Sequence, residues 1–359
     1  MARYELEVKS PIHIGNGETW NSFSDYIFLK NKLYLLNSEK IFEYLMDYER
    51  PKQKRMSSFE ALAEAHAIPI EEYLNIIRNT GNKKGNIKSI IENYFNEKNI
   101  SKDILSNGFV KKYVKQVIKV NSDIKNSNIG QSIKSANKSY IPGSSIKGAI
   151  RTAMIHRENI GKNKIDKDIF GKVISENKLK YLLVGDSSFI ESDKISIEKT
   201  SVTHIHKVST SILPVVCECI NNGKTIFRVR TKGVNCEFDY LNEGNENALL
   251  SLVGEFYKKR LEDEIGILEK SVIKKDLGGV LVKYRTLLNN LKEGEYLIRL
   301  GANKTFYDQS IADLISDAEF NRLDVGNRDR FPLTRNFILD KNSKIVNTCG
   351  WGIIRRIKD

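Results

Sequence analysis

One stretch near the middle of the chain concentrates more chemistry than any other: Tyr140-Ile141-Pro142-Gly143-Ser144-Ser145-Ile146-Lys147-Gly148-Ala149-Ile150-Arg151. Pro142-Gly143 ends an extended segment, and Ser144 or Ser145 can cap a helix that begins there. Such a helix opens with unpaired backbone N–H groups, two hydroxyls and a lysine, a set of donors that suits a phosphate. Arg151 falls one turn beyond Lys147 on the same face, and Gly148 permits close helix packing or close approach of a backbone. The pattern is not a P-loop, because the Gly-x-x-x-x-Gly-Lys-Ser/Thr spacing is absent. From the residues alone, an anion-binding helix start and plain helix capping both remain open.

Other groups could do chemistry. His13 sits in Pro11-Ile12-His13-Ile14-Gly15-Asn16-Gly17, and an imidazole that titrates near neutrality suits acid–base cleavage of RNA through the 2′-hydroxyl. It equally suits RNA contact or local packing. Asp25 is a second catalytic candidate, with capping of a strand entry as the alternative. His204-x-His206 and Cys217-x-Cys219 both repeat at period two, so each pair shares a strand face and together they could ligate zinc on adjacent strands. The cysteine pair also reads as one face of a buried strand, and Cys236 and Cys349 read as buried thiols. Phe306 and Tyr307 are either core or an RNA-contacting pair. Arg355-Arg356 is either a phosphate contact or a solvated strand edge. No Ser-His-Asp or Cys-His nucleophile set is apparent.

The elements that must position these groups follow from periodicity. Residues 4–8 alternate and predict a strand. Residues 26–29 and 32–36 predict a hairpin across Lys30-Asn31, and Ser38 predicts the cap of a helix over 39–46. From about residue 50 to 139 the pattern turns helical and basic, which predicts an insertion into a mixed α/β domain. Residues 108–138 hold seven lysines against one aspartate. Lys111, Lys112, Lys115 and Lys119 recur at helical spacing, as a solvated face or a phosphate-tracking one. Strands are predicted at 180–184, 194–198, 214–220 and 225–230, the last two joined by a hairpin at Asn222-Gly223. A helix over 248–268, a strand over 294–300 and a closing strand over 350–356 complete the chain.

Composition narrows the class. The chain has 359 residues, with 58 Lys and Arg against 45 Asp and Glu, a formal net charge of +13. That balance favours a polyanionic partner. With 40% hydrophobic and 29% charged residues there is ample material for a core, which excludes a disordered tail protein. No run of about 18 apolar residues predicts a membrane span, and the charged, alternating start is unlike a signal peptide. Four cysteines point to a reducing cytoplasm rather than a disulfide scaffold.

Residues 141–148 with Arg151 resemble the central motif of the RAMP superfamily of CRISPR ribonucleoproteins. The opening segment 11–17 is similar to that family's first strand and loop, and Leu300-Gly301-Ala302-Asn303-Lys304 resembles its C-terminal glycine loop. Pro332-Leu333-Thr334 and Gly350-Trp351-Gly352 look like the tail of the branch that caps the 3′ side of the crRNA in type III-A Csm complexes. The resemblance implies an α+β fold of two ferredoxin-like or RRM-like βαββαβ modules with a helical basic insertion. We divide it into residues 1–240, carrying the insertion, and residues 241–359. It implies no cofactor, and a binding subunit rather than a catalyst. The implied partners are the crRNA 3′ region, the repeating backbone and small subunits, target RNA indirectly, and host exonucleases that trim the guide. The residues placed on RNA are His13, Gly15, Asn16, Gly17, Lys111, Lys112, Lys115, Ser144, Ser145, Lys147, Arg151, Gly301, Asn303 and Lys304. Backbone-forming relatives carry a denser C-terminal glycine cluster and no long insertion, differences that favour an end-of-filament role. The alternative is a metal-independent endoribonuclease acting on crRNA precursors through His13.

Overall fold

The alternation at the start of the chain becomes strand β1 (Ala2–Val8) in the computed structural model, with Tyr4, Leu6 and Val8 buried. The structure describes residues 1–22, 24–37, 39–40, 111–124, 127–159, 166–207, 211–308, 310, 312–322 and 332–357. Contacts divide the chain into two units, residues 1–18, 121–123 and 130–359, and residues 19–120 with 124–129. After β1 come β2 (Gly15–Trp20), β3 (Tyr26–Leu29), β4 (Lys32–Leu36), β5 (Val114–Val120) and β6 (Ile129–Ser132). The short hairpin strands β7 (Lys134–Ser135) and β8 (Lys138–Ser139) lead into helix α1 (Gly143–Glu158). Strands β9 (Leu182–Val184), β10 (Ile195–His204), β11 (Ser211–Ile220) and β12 (Lys224–Thr231) follow. Then come α2 (Glu246–Glu269), α3 (Gly278–Asn289), β13 (Glu295–Arg299), β14 (Thr334–Leu339), β15 (Ile345–Thr348) and β16 (Trp351–Arg356).

In the smaller unit, β3, β4 and β5 form an antiparallel meander. Lys30 and Asn31 turn the β3–β4 hairpin with φ of 48° and 59°, the two-residue geometry whose twist suits paired strands. The hairpin lies where the sequence predicts it. The lysine-rich segment differs. Among its described residues only 111–113 are helical, and the chain then runs as β5, with Lys115, Val117 and Lys119 exposed and Ile118 and Val120 buried. Val114, Val117, Ile118 and Val120 are β-branched, and the packing of buried Ile118 and Val120 overrides the helical spacing of the lysines. Residues 41–110, where the sequence places the rest of the helical insertion and most of the Ser38-capped helix, lie outside the described residues.

In the larger unit, one antiparallel sheet runs β13-β16-β1-β12-β9. Taking β1, β9, β12 and β16 as strands one to four, their spatial order is 4-1-3-2, with α1 after the first and α2 after the third. That is the βαββαβ arrangement of a ferredoxin-like module, with β13 added at its edge. β1 and β12 share this sheet with β13 and β16, so the contacts do not divide the chain at residue 240. Buried Ile146, Ile150 and Met154 of α1 and Leu250, Val253 and Tyr257 of α2 supply the core beside Leu6, Phe227 and Val229. A Cβ on Gly254 would lie 3.1 Å from the Tyr296 Cα, so α2 packs close to β13.

A second layer of strands places β11 beside β6 and β10, β14 along β10, and β15 along β14. The Asn222-Gly223 turn therefore closes no hairpin. It hands the chain from β11 in one sheet to β12 in the other, because the alternating buried face of β12 pairs with β1. Among the described residues no helix is long and apolar enough to cross a membrane.

Candidate nucleic-acid interface

Three glycine-bearing segments, distant in sequence, meet around His13. Gly301 has φ of +80°, and a Cβ there would lie 2.3 Å from the His13 carbonyl oxygen. That carbonyl accepts the Ala302 N–H at 2.8 Å. Gly350, at φ +99°, donates its N–H to the Pro11 carbonyl at 2.8 Å and accepts the Leu300 N–H at 2.8 Å. These glycines are required because backbone meets backbone. The Gly301 loop thus packs on the first loop of the chain. The loop is held from behind by Arg299, fully buried, which pairs with Asp308 at 2.6 Å and lies over the Trp351 ring. Asp308 also accepts from the Thr305 backbone and hydroxyl.

The His13 ring is half-buried. Its Nδ1–H donates to the Glu218 carbonyl at 2.7 Å, an acceptor shared with the Ser132 hydroxyl, and the Ile12–Ile220 bridge fixes the loop beside β11. Nε2 lies against Gly15 and Gly130, 3.1 and 3.6 Å from where their Cβ atoms would be. Burial holds the imidazole below its ordinary range, opposed by the hydrogen bond and charge of Glu218, so the ring is neutral at pH 7 with an unprotonated Nε2. The Glu218 carboxylate is wholly buried and pairs with Lys134 at 2.8 Å. Asn303 reaches Cys217 Sγ at 3.8 Å, and burial lowers the pKa of Lys304. Asn16 folds onto Glu18, and Gly17 stands exposed at φ +90° with open space beside it.

The central motif forms a helix, but not with the cap read from sequence. Pro142 is the N-cap, without a side-chain bond, and the first amide, Gly143 N–H, donates to the Asp186 carboxylate at 2.7 Å. Gly143 is required there, since a Cβ would lie 2.4 Å from the Val184 carbonyl oxygen. Lys147 turns inward. Its ammonium donates to the carbonyls of Leu179 and Leu182 at 2.9 and 2.7 Å, tying α1 to the turn before β9. Burial, with Lys232 nearby, lowers its pKa. What remains open is the stripe Ser144, Gly148 and Arg151, spaced four and three residues apart on one helix face. Arg151 forms a partly exposed pair with Asp166 at 2.6 Å. Gly148 is exposed, and a Cβ there would meet nothing. A glycine inside a helix costs about 1 kcal/mol relative to alanine, and here no packing constraint explains it.

The other expected site residues resolve differently. Asp25 closes the turn before β3, accepting from the Asn21 backbone at 2.7 Å and the Ser24 hydroxyl at 2.8 Å. His204 and His206 are not brought to Cys217 and Cys219. The register sets Glu198 opposite Cys217, which leaves the histidines roughly 20 Å along the ladder. Cys236 is half-buried rather than buried. Phe306 packs against Ala312, Ile315 and Phe320, and the Arg335 guanidinium lies over Tyr307. β16 is no edge: it runs between β13 and β1, and Arg355 pairs with Glu5, Glu7 and Glu295. The open face of the ferredoxin-like sheet thus carries ion pairs where an RRM presents stacking aromatics. A cavity of about 850 Å³ beside α3, lined by Glu7, Lys283, Glu295 and Arg355, holds none of the central-motif residues.

Sequence reasoning missed Glu218 and Asp186, whose roles depend on pairings remote in sequence. It also missed Lys138 and Phe189, a lysine and an aromatic set close together in space (Nζ 5.6 Å from the ring centroid). The Gly185-Asp186-Ser187-Ser188 run before Phe189 was the available signal of a special turn.

The RAMP superfamily sequence model matches residues 5–306. No curated protein matches. Among solved structures, a chain of a Csm-crRNA-target RNA ternary complex from a type III-A CRISPR-Cas system superposes with a TM-score of 0.67 at 20% identity, covering 99% of this chain and 100% of that one. Csm5 of T. onnurineus superposes with a TM-score of 0.64 at 19% identity, covering 97% of this chain and 99% of that one.

Proposed function

The chain belongs to the RAMP superfamily, and on that premise we propose that it is a crRNA-binding subunit of a type III-A Csm complex. In this reading it holds the guide near its 3′ end, closes the filament of repeating backbone subunits beside the small subunits, and meets target RNA only through the guide. It supports 3′-end maturation by presenting that end to exonucleases of the cell. The likeness in fold to a chain of a Csm-crRNA-target RNA complex and to Csm5 supports the assignment, as does the net charge of +13.

The observation that carries the reading is the open stripe Ser144-Gly148-Arg151. A mid-helix glycine lets a sugar–phosphate backbone lie against the helix, with a hydroxyl on one side and a guanidinium on the other. Arg151 can exchange its exposed aspartate partner for a phosphate at little cost, because such surface pairs contribute about 0–1 kcal/mol. Lys147 supports the stripe from inside, and the Gly301 loop packs on the His13 carbonyl in the first loop of the chain.

The test is Gly148→Leu, which improves helix propensity, enters open space, and places a side chain where the guide would pass. The variant should melt no lower than the parent and bind crRNA at least tenfold more weakly. Unchanged crRNA affinity would sink the assignment. Cutting by His13 is tested separately. The purified protein should leave repeat RNA intact in EDTA, and cleavage abolished by His13→Ala would replace the binding subunit with a nuclease.

A further inference from the structure

Phe189 is 51% exposed, and among the described residues no other Phe, Tyr or Trp side chain is exposed. A phenylalanine left in water forgoes the stabilisation that burial would give it. The display is also rigid. Ser187 N–H donates to the Ile141 carbonyl, Ser188 N–H to the Ile226 carbonyl and Ile190 N–H to the Ser139 carbonyl, so the backbone is fixed on both sides of the ring. The Ser187 hydroxyl accepts the Ile141 N–H, and the Ser188 hydroxyl accepts the Ile226 N–H. These bonds tie the Phe189 segment to the residues that enter α1 and to β12.

Two side chains meet the ring directly. Tyr140 meets Phe189 edge-on, with centroids 6.5 Å apart at 89°. The ammonium of exposed Lys138 stands 5.6 Å from the Phe189 centroid, with no carboxylate paired to it among the described residues. Lys138 leaves the tip of the β7–β8 hairpin, where Ala136 and Asn137 turn at positive φ. A pre-positioned ring with an ammonium over it, and no carboxylate on that ammonium among the described residues, matches one nucleotide of single-stranded RNA, its base stacked on the ring and its phosphate on the ammonium. A protein partner would call for a contiguous apolar surface rather than one ring bordered by a lysine and serines.

We infer that Phe189, braced by Tyr140 and flanked by Lys138, is a stacking platform for one unpaired nucleotide. The inference deepens the RNA-binding reading above and rests on it. The platform supplies base contact that the ion-paired face of the ferredoxin-like sheet does not.

The experiment uses the full-length protein and a fluorescein-labelled oligouridine, with a second oligonucleotide carrying one 2-aminopurine to report stacking. Phe189→Ala should weaken binding about 5- to 150-fold. It should abolish 2-aminopurine quenching and leave the salt dependence alone. Phe189→Tyr should restore both affinity and quenching. Lys138→Ala should reduce the salt slope by about 0.7. If the parent binds RNA and Phe189→Ala binds it equally well with the same quenching, the platform is refuted and the RNA-binding reading stands. If Phe189→Ala keeps RNA affinity but loses a co-purifying Csm subunit, the ring is a protein contact and the inference is overturned. If the parent binds neither RNA, the underlying reading fails with it.

Discussion

Lys147 is the residue on which a reading of the motif and a reading of the structure diverge most. As a motif lysine it would contact the guide. In the fold its ammonium donates to the carbonyls of Leu179 and Leu182. Replacing it with methionine keeps the aliphatic stem and removes both bonds. A hydrogen bond from a charged donor contributes about 1.5–3 kcal/mol, so losing two at the lower figure costs about 3 kcal/mol. Leu179 O retains the Leu182 N–H as a partner, which argues for the lower figure. With a urea slope of about 3 kcal/mol per molar, the midpoint followed by far-UV circular dichroism should fall by about 1 M. RNA affinity per folded molecule and its salt slope should hold. An unchanged midpoint with weaker RNA binding and a slope reduced by about 0.7 would show that Lys147 faces the guide, refuting the argument.

Other perturbations follow from the same packing. Gly301→Ala puts a Cβ 2.3 Å from the His13 carbonyl oxygen at φ +80° and should cost about 3 kcal/mol in a denaturant melt, from left-handed strain and a lost backbone bond; unaltered stability with weaker RNA binding would return the glycine to a ligand role. Asp308→Ala leaves the buried Arg299 guanidinium unpaired and should cost about 3–5 kcal/mol, with raised hydrogen exchange at residues 300–308 as the check. Burial, with the Arg260 charge adding to it and Asp313 opposing, lowers the His156 pKa to about 4. The unfolded state therefore takes up the proton first on acidification. This contribution is complete above about pH 6.5 and is lost as pH falls toward 4, on the order of 3 kcal/mol. Melts of His156→Gln across that window should be flatter than the parent's, and parallel curves would contradict the assignment.

Local order was legible and long-range pairing was not. The β3–β4 hairpin, β1, α2 and β16 follow from alternation, helical period and turn residues within a few positions of one another. The neighbours of β1 do not: Glu5 pairs with Ile226, and Leu6 with Ile354. For the same reason Gly301 and Gly350 were recognisable as special, while their partners at His13 and Pro11 were not. β5 misleads because its lysines fit a helical period while its β-branched residues fit a strand, and burial of Ile118 and Val120 decides between them. Lys147 misleads because its acceptors are main-chain carbonyls, which no side-chain pattern encodes. In the helix itself, the exposed and unpacked Gly148 was visible as a glycine but not as the centre of an open stripe.

The most direct test of the central claim is native mass spectrometry of the affinity-purified protein from the cell that makes it, with sequencing of the RNA that comes with it. The expected species is a large ribonucleoprotein carrying repeat-derived guides, with this subunit cross-linking to their 3′ portion. A free monomer without guide RNA would contradict the claim.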